Sequence, residues 1–154
     1  LELENLVELV PRKGAQVLDM SEKDIINILE VRGVLEGLAT GLACKKMGAE
    51  GLAELKSLEE RFEKAISEKA LEEIAEIDEQ FHNVIFASTD NDKLIQIFNN
   101  LKLDSSIPAI VAHHKGIIRA IENHDVEEGT TMAQGHVKYH TEFILRAVRN
   151  KETK

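Results

Sequence analysis

From Ser21 onward the apolar residues recur at three- and four-residue intervals, which is the period of a helix with one buried face. Ile25, Ile28, Leu29, Leu35, Ala39 and Ala43 share a face with Arg32 and Glu36 and predict a first helix over about 22–47. Ser21-Glu22-Lys23-Asp24 supplies its cap and Gly48 its stop. Leu52, Leu55, Leu58, Phe62 and Ile66 mark a second helix, with Ser67 placed to cap the next. A third takes Leu71, Ile74, Ile77, Phe81 and Ile85 and ends in the turn-like Ser88-Thr89-Asp90-Asn91. A short fourth runs from Leu94 to Leu103, and Pro108 sits near the first turn of a fifth that carries Ile110, Ile117, Ile118 and Ile121. Asn123-His124-Asp125 breaks that helix, and a sixth spans about 126–149 with His136, His140, Phe143 and Ala147 on one stripe. The expected fold is all-α, an antiparallel bundle of about six helices joined by short loops.

The first twenty residues follow another pattern. Leu6 to Val10, a Pro11-Arg12-Lys13-Gly14 turn and Ala15 to Val17 read as a short N-terminal β-hairpin, which has no core of its own. The chain therefore divides into a hairpin segment, 1–20, and a helical domain, 21–154.

Composition narrows the function. With 154 residues, 43% hydrophobic and 31% charged, the chain has enough apolar mass for one folded domain and lacks the signature of disorder. Its net charge of −9 argues against a general affinity for nucleic acid or anionic membranes. Residues 50–92 carry 13 acidic and 4 basic side chains, so the acid is concentrated on the solvated faces of the central helices. Cys44, the single cysteine, excludes an intramolecular disulfide and a multi-cysteine zinc site; it reads as a small core residue in a reducing compartment. No apolar run approaches the ~20 residues of a bilayer span and no signal pattern opens the chain, so a cytoplasmic protein is expected.

The candidate chemistry lies in the histidines. Asp78 and His82 stand at i and i+4 beside Ile74, Phe81 and Ile85, where they suit either joint metal ligation or a plain Asp–His hydrogen bond. His114 shares a face with Ile117, Ile118 and Ile121, while His113 points away from it. Both His136 and His140 can reach the interior from the sixth helix, and His124, in a break, is expected to be exposed. Several inward imidazoles and one facing carboxylate are the donors a divalent ion needs. Arg32 and Glu36 form a second i, i+4 pair, either an ion pair at the edge of the core or a guanidinium offered to a carboxylate ligand. Glu79 with His82 matches the Glu-x-x-His of di-iron bundles, but the second copy such bundles require is missing. Phosphate-binding glycine loops, a His-Glu-x-x-His motif and a Gly-x-Ser-x-Gly elbow are also missing.

Four stretches together resemble the FadR-type C-terminal effector domain, the FCD domain, of GntR-family transcription regulators. They are Glu30-Val31-Arg32 with Leu35-Glu36 and its continuation to Lys46; Asp78-x-x-Phe81-His82 followed by Phe86-Ala87-Ser88; His114-x-x-Ile117-x-x-Ala120-Ile121 with Asp125; and Met132-x-x-x-His136-Val137. In the family's order they cover about residues 22–148. The resemblance implies that Asp78, His82, His114 and His136 bind one divalent metal ion, zinc or nickel, and it selects His136 over His140. It further implies a small carboxylate metabolite as effector, contacted by Arg32, and a homodimer. Residues 6–17 look like the wing of the family's winged helix-turn-helix domain, with Arg12 and Lys13 as its DNA-contacting bases. Operator DNA would then be reached only through the remainder of that domain, which this sequence does not contain. One departure stands out between His82 and His114: relatives carry a longer fourth helix with arginines there, whereas here the stretch from Asn99 to Ala112 is short and has only Lys102 as a base.

The leading expectation is thus a ligand-sensing regulatory domain that controls DNA binding, with no enzymatic activity. The alternative is a small helical-bundle metalloenzyme whose His/Asp-bound metal activates water for hydrolysis.

Overall fold

The computed structural model describes residues 7–10, 14–17, 21–101 and 114–152, with side chains described for 21–101 and 114–146. Strands β1 (Val7–Val10) and β2 (Gly14–Val17) pair antiparallel, Val7 opposite Val17 and Val10 opposite Gly14. Six helices follow among the described residues: α1 (Glu22–Lys46), α2 (Ala49–Glu68), α3 (Leu71–Ser88), α4 (Asp92–Asn100), α5 (His114–Glu122) and α6 (Val126–Glu152). The all-α bundle expected from the periodicity is the fold observed. Arg12, Lys13, Lys102, Leu103, Pro108, Ile110 and His113 lie outside the described residues.

Local chemistry sets most of the helix ends. The Ser21 side chain accepts from the Asp24 backbone N–H while the Asp24 carboxylate accepts from the Ser21 N–H, a reciprocal cap that satisfies two otherwise orphaned donors. Asn91 caps α4 in the simpler way, accepting from the Leu94 N–H. Between α2 and α3 the expected cap fails: the Ser67 hydroxyl donates to the Lys64 carbonyl inside α2, and α3 starts after Ala70 without a side-chain cap. Lys69 ends α2 instead, in the left-handed region at φ 56°.

Chain neighbours are not always packing neighbours. The main partner of α1 is α6, which runs antiparallel to it, and α2 pairs with α3. Small residues let α1 and α6 approach closely: a Cβ on Gly37 would stand 3.0 Å from the Gln134 side chain, and one on Gly129 would stand 2.7 Å from Cys44 Sγ. The main core joins Phe62, Phe81, Ile77, Ile85, Leu55 and Ile117 with Ala39, Ala43, Cys44 and Ala133. Burying each large side chain of this kind contributes about 1.5–3 kcal/mol. A second, smaller cluster of Ile25, Leu29, Val137 and Ile144 closes the other end of the α1–α6 pair.

Two apolar residues expected inside are exposed. Leu71 opens α3, with no preceding helical turn to bring it over the core, and is 74% exposed. On α6 the inward position falls to Ile144, leaving its neighbour Phe143 41% exposed. The turn between α5 and α6 is tied to the end of α1: His124 Nδ1 lies 2.8 Å from the Cys44 carbonyl oxygen, and Cys44 Sγ donates to the Asp125 carbonyl at 3.3 Å. His124 is exposed, as expected, but anchored through this contact. No helix among the described residues is long and apolar enough to cross a membrane.

Candidate metal centre

The periodicity of α3 puts Asp78 and His82 one turn apart on its inner side, α5 begins with His114 facing the core, and α6 brings in His136. Each of these four residues offers one donor atom, and all four atoms lie within 4.8 Å of one another. His82, His114 and His136 are 6%, 1% and 2% exposed, so their imidazoles are withdrawn from water. The ring centroids are 5.2 Å apart for His82 and His136, and again for His114 and His136. Phe81 stacks on His114 at 4.0 Å, with Phe62 tilted against it, and this fixes the ring plane. His140 is half-buried with its ring 6.0 Å from that of His136, outside the four-donor group; Glu79 is exposed.

Asp78 Oδ1 is the focus of the group, 3.1 Å from His114 Nε2 and 3.8 Å from His82 Nε2. Two further carboxylates, which the sequence reading did not assign to the site, face the opposite edges of the same rings. Glu59 Oε2, from α2, lies 3.3 Å from His114 Nδ1, and Glu36 Oε2, from α1, lies 3.5 Å from His82 Nδ1. Despite these distances, Asp78 Oδ1, Glu36 Oε2, Glu59 Oε2 and both His114 nitrogens are buried without an aligned hydrogen-bond partner among the described residues. Buried polar atoms are normally satisfied, and donors that point toward a common centre more than at each other suit a cation placed among them.

Arg32 donates from Nη2 to Glu36 Oε1 at 2.8 Å, and its guanidinium lies over the Phe98 ring at 5.0 Å. The ion-pair reading of Arg32 and Glu36 is therefore realised. Arg32 Nε is buried and has no acceptor among the described residues.

The electrostatics are those of a site with excess negative charge. Glu36, Glu59 and Asp78 bring three carboxylates and Arg32, paired with Glu36, brings one guanidinium, so with neutral imidazoles two negative charges remain, the complement of a divalent ion. Burial pushes the His114 pKa down, but the neighbouring oxygens of Asp78 and Glu59 outweigh it and raise it to about 9. Because those oxygens are out of line for finished hydrogen bonds, we attribute the rise chiefly to their charge. Burial also pushes Asp78 and Glu36 up, and in both cases nearby cationic side chains win and hold the carboxyl below its usual range. His136 goes the other way: burial and the His82 charge lower it to about 4. At neutral pH one imidazole of the group is held charged and another is held neutral.

The model of the FCD domain matches residues 27–139. Among solved structures, a GntR-family transcriptional regulator from Pseudomonas syringae pv. tomato is 22% identical, with a TM-score of 0.75 over 97% of this chain and 67% of that one. McbR/YncC of E. coli is 16% identical, with a TM-score of 0.80 over 95% of this chain and 80% of its own. A GntR protein of Streptococcus agalactiae is 16% identical, with a TM-score of 0.68 over 92% and 76%. At such identities the likeness concerns the fold. No curated protein matches. With well over half of its residues matched in a single run, the chain belongs to the FCD domain family, the FadR-type C-terminal domain of GntR-family regulators.

Proposed function

We propose that this domain senses a small carboxylate through one divalent metal ion held by Asp78, His82, His114 and His136. GntR-family regulators bind DNA and effectors and typically function as dimers, and this domain takes the effector-binding part of that work. The observation that carries the reading is the convergence of three buried imidazoles and one carboxylate, with the unsatisfied atoms Asp78 Oδ1 and His114 Nε2 at its centre. Three nitrogen donors and one oxygen suit zinc or nickel, whose bonds to such donors are about 2.0–2.2 Å. When bound, the ion supplies a Lewis-acidic position for an anionic oxygen. Arg32 supplies the second contact through Nε–H, and the apolar wall of Phe81 and Phe98 excludes water from both.

The homodimer expected of the family has a surface suited to it on α1. Val31, Val34 and Leu38 form an outward stripe, 48%, 63% and 48% exposed, on a helix whose inner face is also apolar. Glu30 and Lys45 flank the stripe at opposite ends, so two copies of α1 crossing antiparallel about Leu38 bring unlike charges together.

The test is metal analysis of the purified chain beside its His82→Ala/His114→Ala double variant. One equivalent of zinc or nickel in the parent and none in the variant is the expected result. Full metal content in the variant sinks the assignment.

A further inference from the structure

Two carboxylates outside the donor group, Glu36 and Glu59, sit behind the two histidines whose outward nitrogens meet Asp78. The arrangement is the same on both sides although it is built from different helices. His114 has Nε2 at 3.1 Å from Asp78 Oδ1 and Nδ1 at 3.3 Å from Glu59 Oε2. His82 has Nε2 at 3.8 Å from the same Asp78 oxygen and Nδ1 at 3.5 Å from Glu36 Oε2. A neutral imidazole carries a single N–H, and which nitrogen carries it is set by what faces the other edge.

We infer that Glu36 and Glu59 are positioning residues that hold the Nδ1–H of His82 and His114 and so aim both Nε2 lone pairs at one cation. The inference rests on the metal reading above and extends it from the four donors to the shell that orients them.

Three features of the structure support it. Both glutamates are almost wholly buried, at 3% and 8% exposure, where a charged carboxylate without a donor would be costly. Among the described residues both Oε2 atoms lack an aligned partner, as does His114 Nδ1, so each carboxylate has an acceptor position to fill and a ring edge beside it. Both distances are close to the hydrogen-bond range, so a small reorientation of ring and carboxylate completes each bond. Glu36 is itself fixed, because its other oxygen accepts from Arg32 at 2.8 Å. That links the Arg32 guanidinium to the His82 imidazole through one carboxylate. Glu59 is also the means by which α2, which contributes no donor of its own, takes part in the site.

Carboxylate partners of this kind fix the tautomer and raise the basicity of a metal-binding histidine, and losing one weakens metal binding by about 10–100-fold. The decisive measurement is long-range proton–nitrogen NMR of the zinc-loaded protein, which reports the protonated nitrogen of each ring. The expected spectrum has Nδ1 protonated and Nε2 metal-bound in both His82 and His114. Alongside it, Glu36→Gln and Glu59→Gln, compared with the parent by zinc competition against a chromophoric chelator, should each bind about 10-fold or more weakly. One equivalent should still bind at saturation. Nδ1 coordination in either ring overturns the inference even where zinc binds stoichiometrically, as does unchanged affinity in both glutamine variants. A parent chain that takes up no zinc or nickel overturns the metal reading and this inference with it. Should a variant fail to fold, the spectrum of the parent still decides.

Discussion

Asp78 Oδ1 and His114 Nε2, brought together from α3 and α5, stand 3.1 Å apart at the centre of the donor group, and the imidazole keeps its proton there up to about pH 9. A metal ion cannot share that nitrogen with a proton. Loading at pH 7 must therefore displace about one proton from His114, whereas His136, neutral above about pH 4, has none to lose. Calorimetric zinc titrations in two buffers of different ionisation enthalpy should report a release close to one proton. The apparent affinity should also rise about tenfold per pH unit between pH 7 and 9. A pH-independent affinity would contradict the protonated state of His114.

The same two shifts give the metal-free protein a stability optimum. The His114 pKa is raised above its ordinary 6.5, so its stabilisation is fully present below pH 6.5 and is lost as pH rises through 9. The His136 pKa is depressed, so the unfolded chain takes up the proton first and stability falls as pH drops from 6.5 toward 4. Lowered Asp78 and Glu36 reinforce the acid-side loss, since their stabilisation is present above the ordinary carboxylate pKa and disappears as they protonate. Thermal melts of chelator-treated protein between pH 4 and 9 should peak near pH 6.5. Melts of zinc-loaded protein should stay high to pH 9, because the metal takes the place of the proton. Identical profiles for the two forms would separate the histidines from the metal.

Arg32 provides a separate test of the effector. A small hydroxy- or dicarboxylate at 100 times its Kd stabilises the native state by about 2.7 kcal/mol. The rise in Tm should be larger for metal-loaded than for chelated protein. Arg32→Lys retains a cation near Glu36 but loses the fork and the Nε–H, so it should keep one equivalent of metal while reducing that rise. Equal stabilisation of both forms would place the carboxylate elsewhere.

The α1 stripe is tested by charge. Leu38→Glu puts a carboxylate at the centre of the proposed antiparallel crossing, where each copy meets the other. Light scattering should show a dimer for the parent and a monomer for the variant, with unchanged helical circular dichroism. A dimeric variant would move the interface away from α1.

The helices were legible because their apolar period is long and their turns are marked by residues such as Gly48 and Asn91, and the Ser21 cap could be read down to its partner. Asp78 and His82 were legible as a pair because four residues make one helical turn. The choice of His136 over His140 came from the resemblance, since both lie on the inward half of α6. Glu59 was missed for a physical reason. It stands four residues after Leu55 and three before Phe62, so the period places it inside, but glutamate at a helix position is ordinarily solvated. Among the described residues its partner is His114, which arrives from a distant helix. The packing of α1 on α6 had one local sign, Gly33, Gly37 and Gly41 at four-residue spacing, and isolated glycines in a helix read equally as weak points.

The tie between Cys44 and the α5–α6 turn has a mechanical consequence. His114 and His136 sit on the two arms of a hairpin whose bend is pinned to α1 by His124 and Asp125. Were an ion to draw the arms together with the bend held, the pin would act as a fulcrum and the movement would fall on their free ends. On the α6 side that free end is the small cluster of Ile25, Leu29, Val137 and Ile144, which the main core does not include. Under the proposed metal reading, that load would fall on the first turns of α1, the part of the bundle nearest in sequence to the N-terminal hairpin. Hydrogen exchange should locate the response there: metal should alter protection at residues 25–29 and 137–144 and leave 44 and 124–125 unchanged. Equal change at both ends would mean the bend is not fixed.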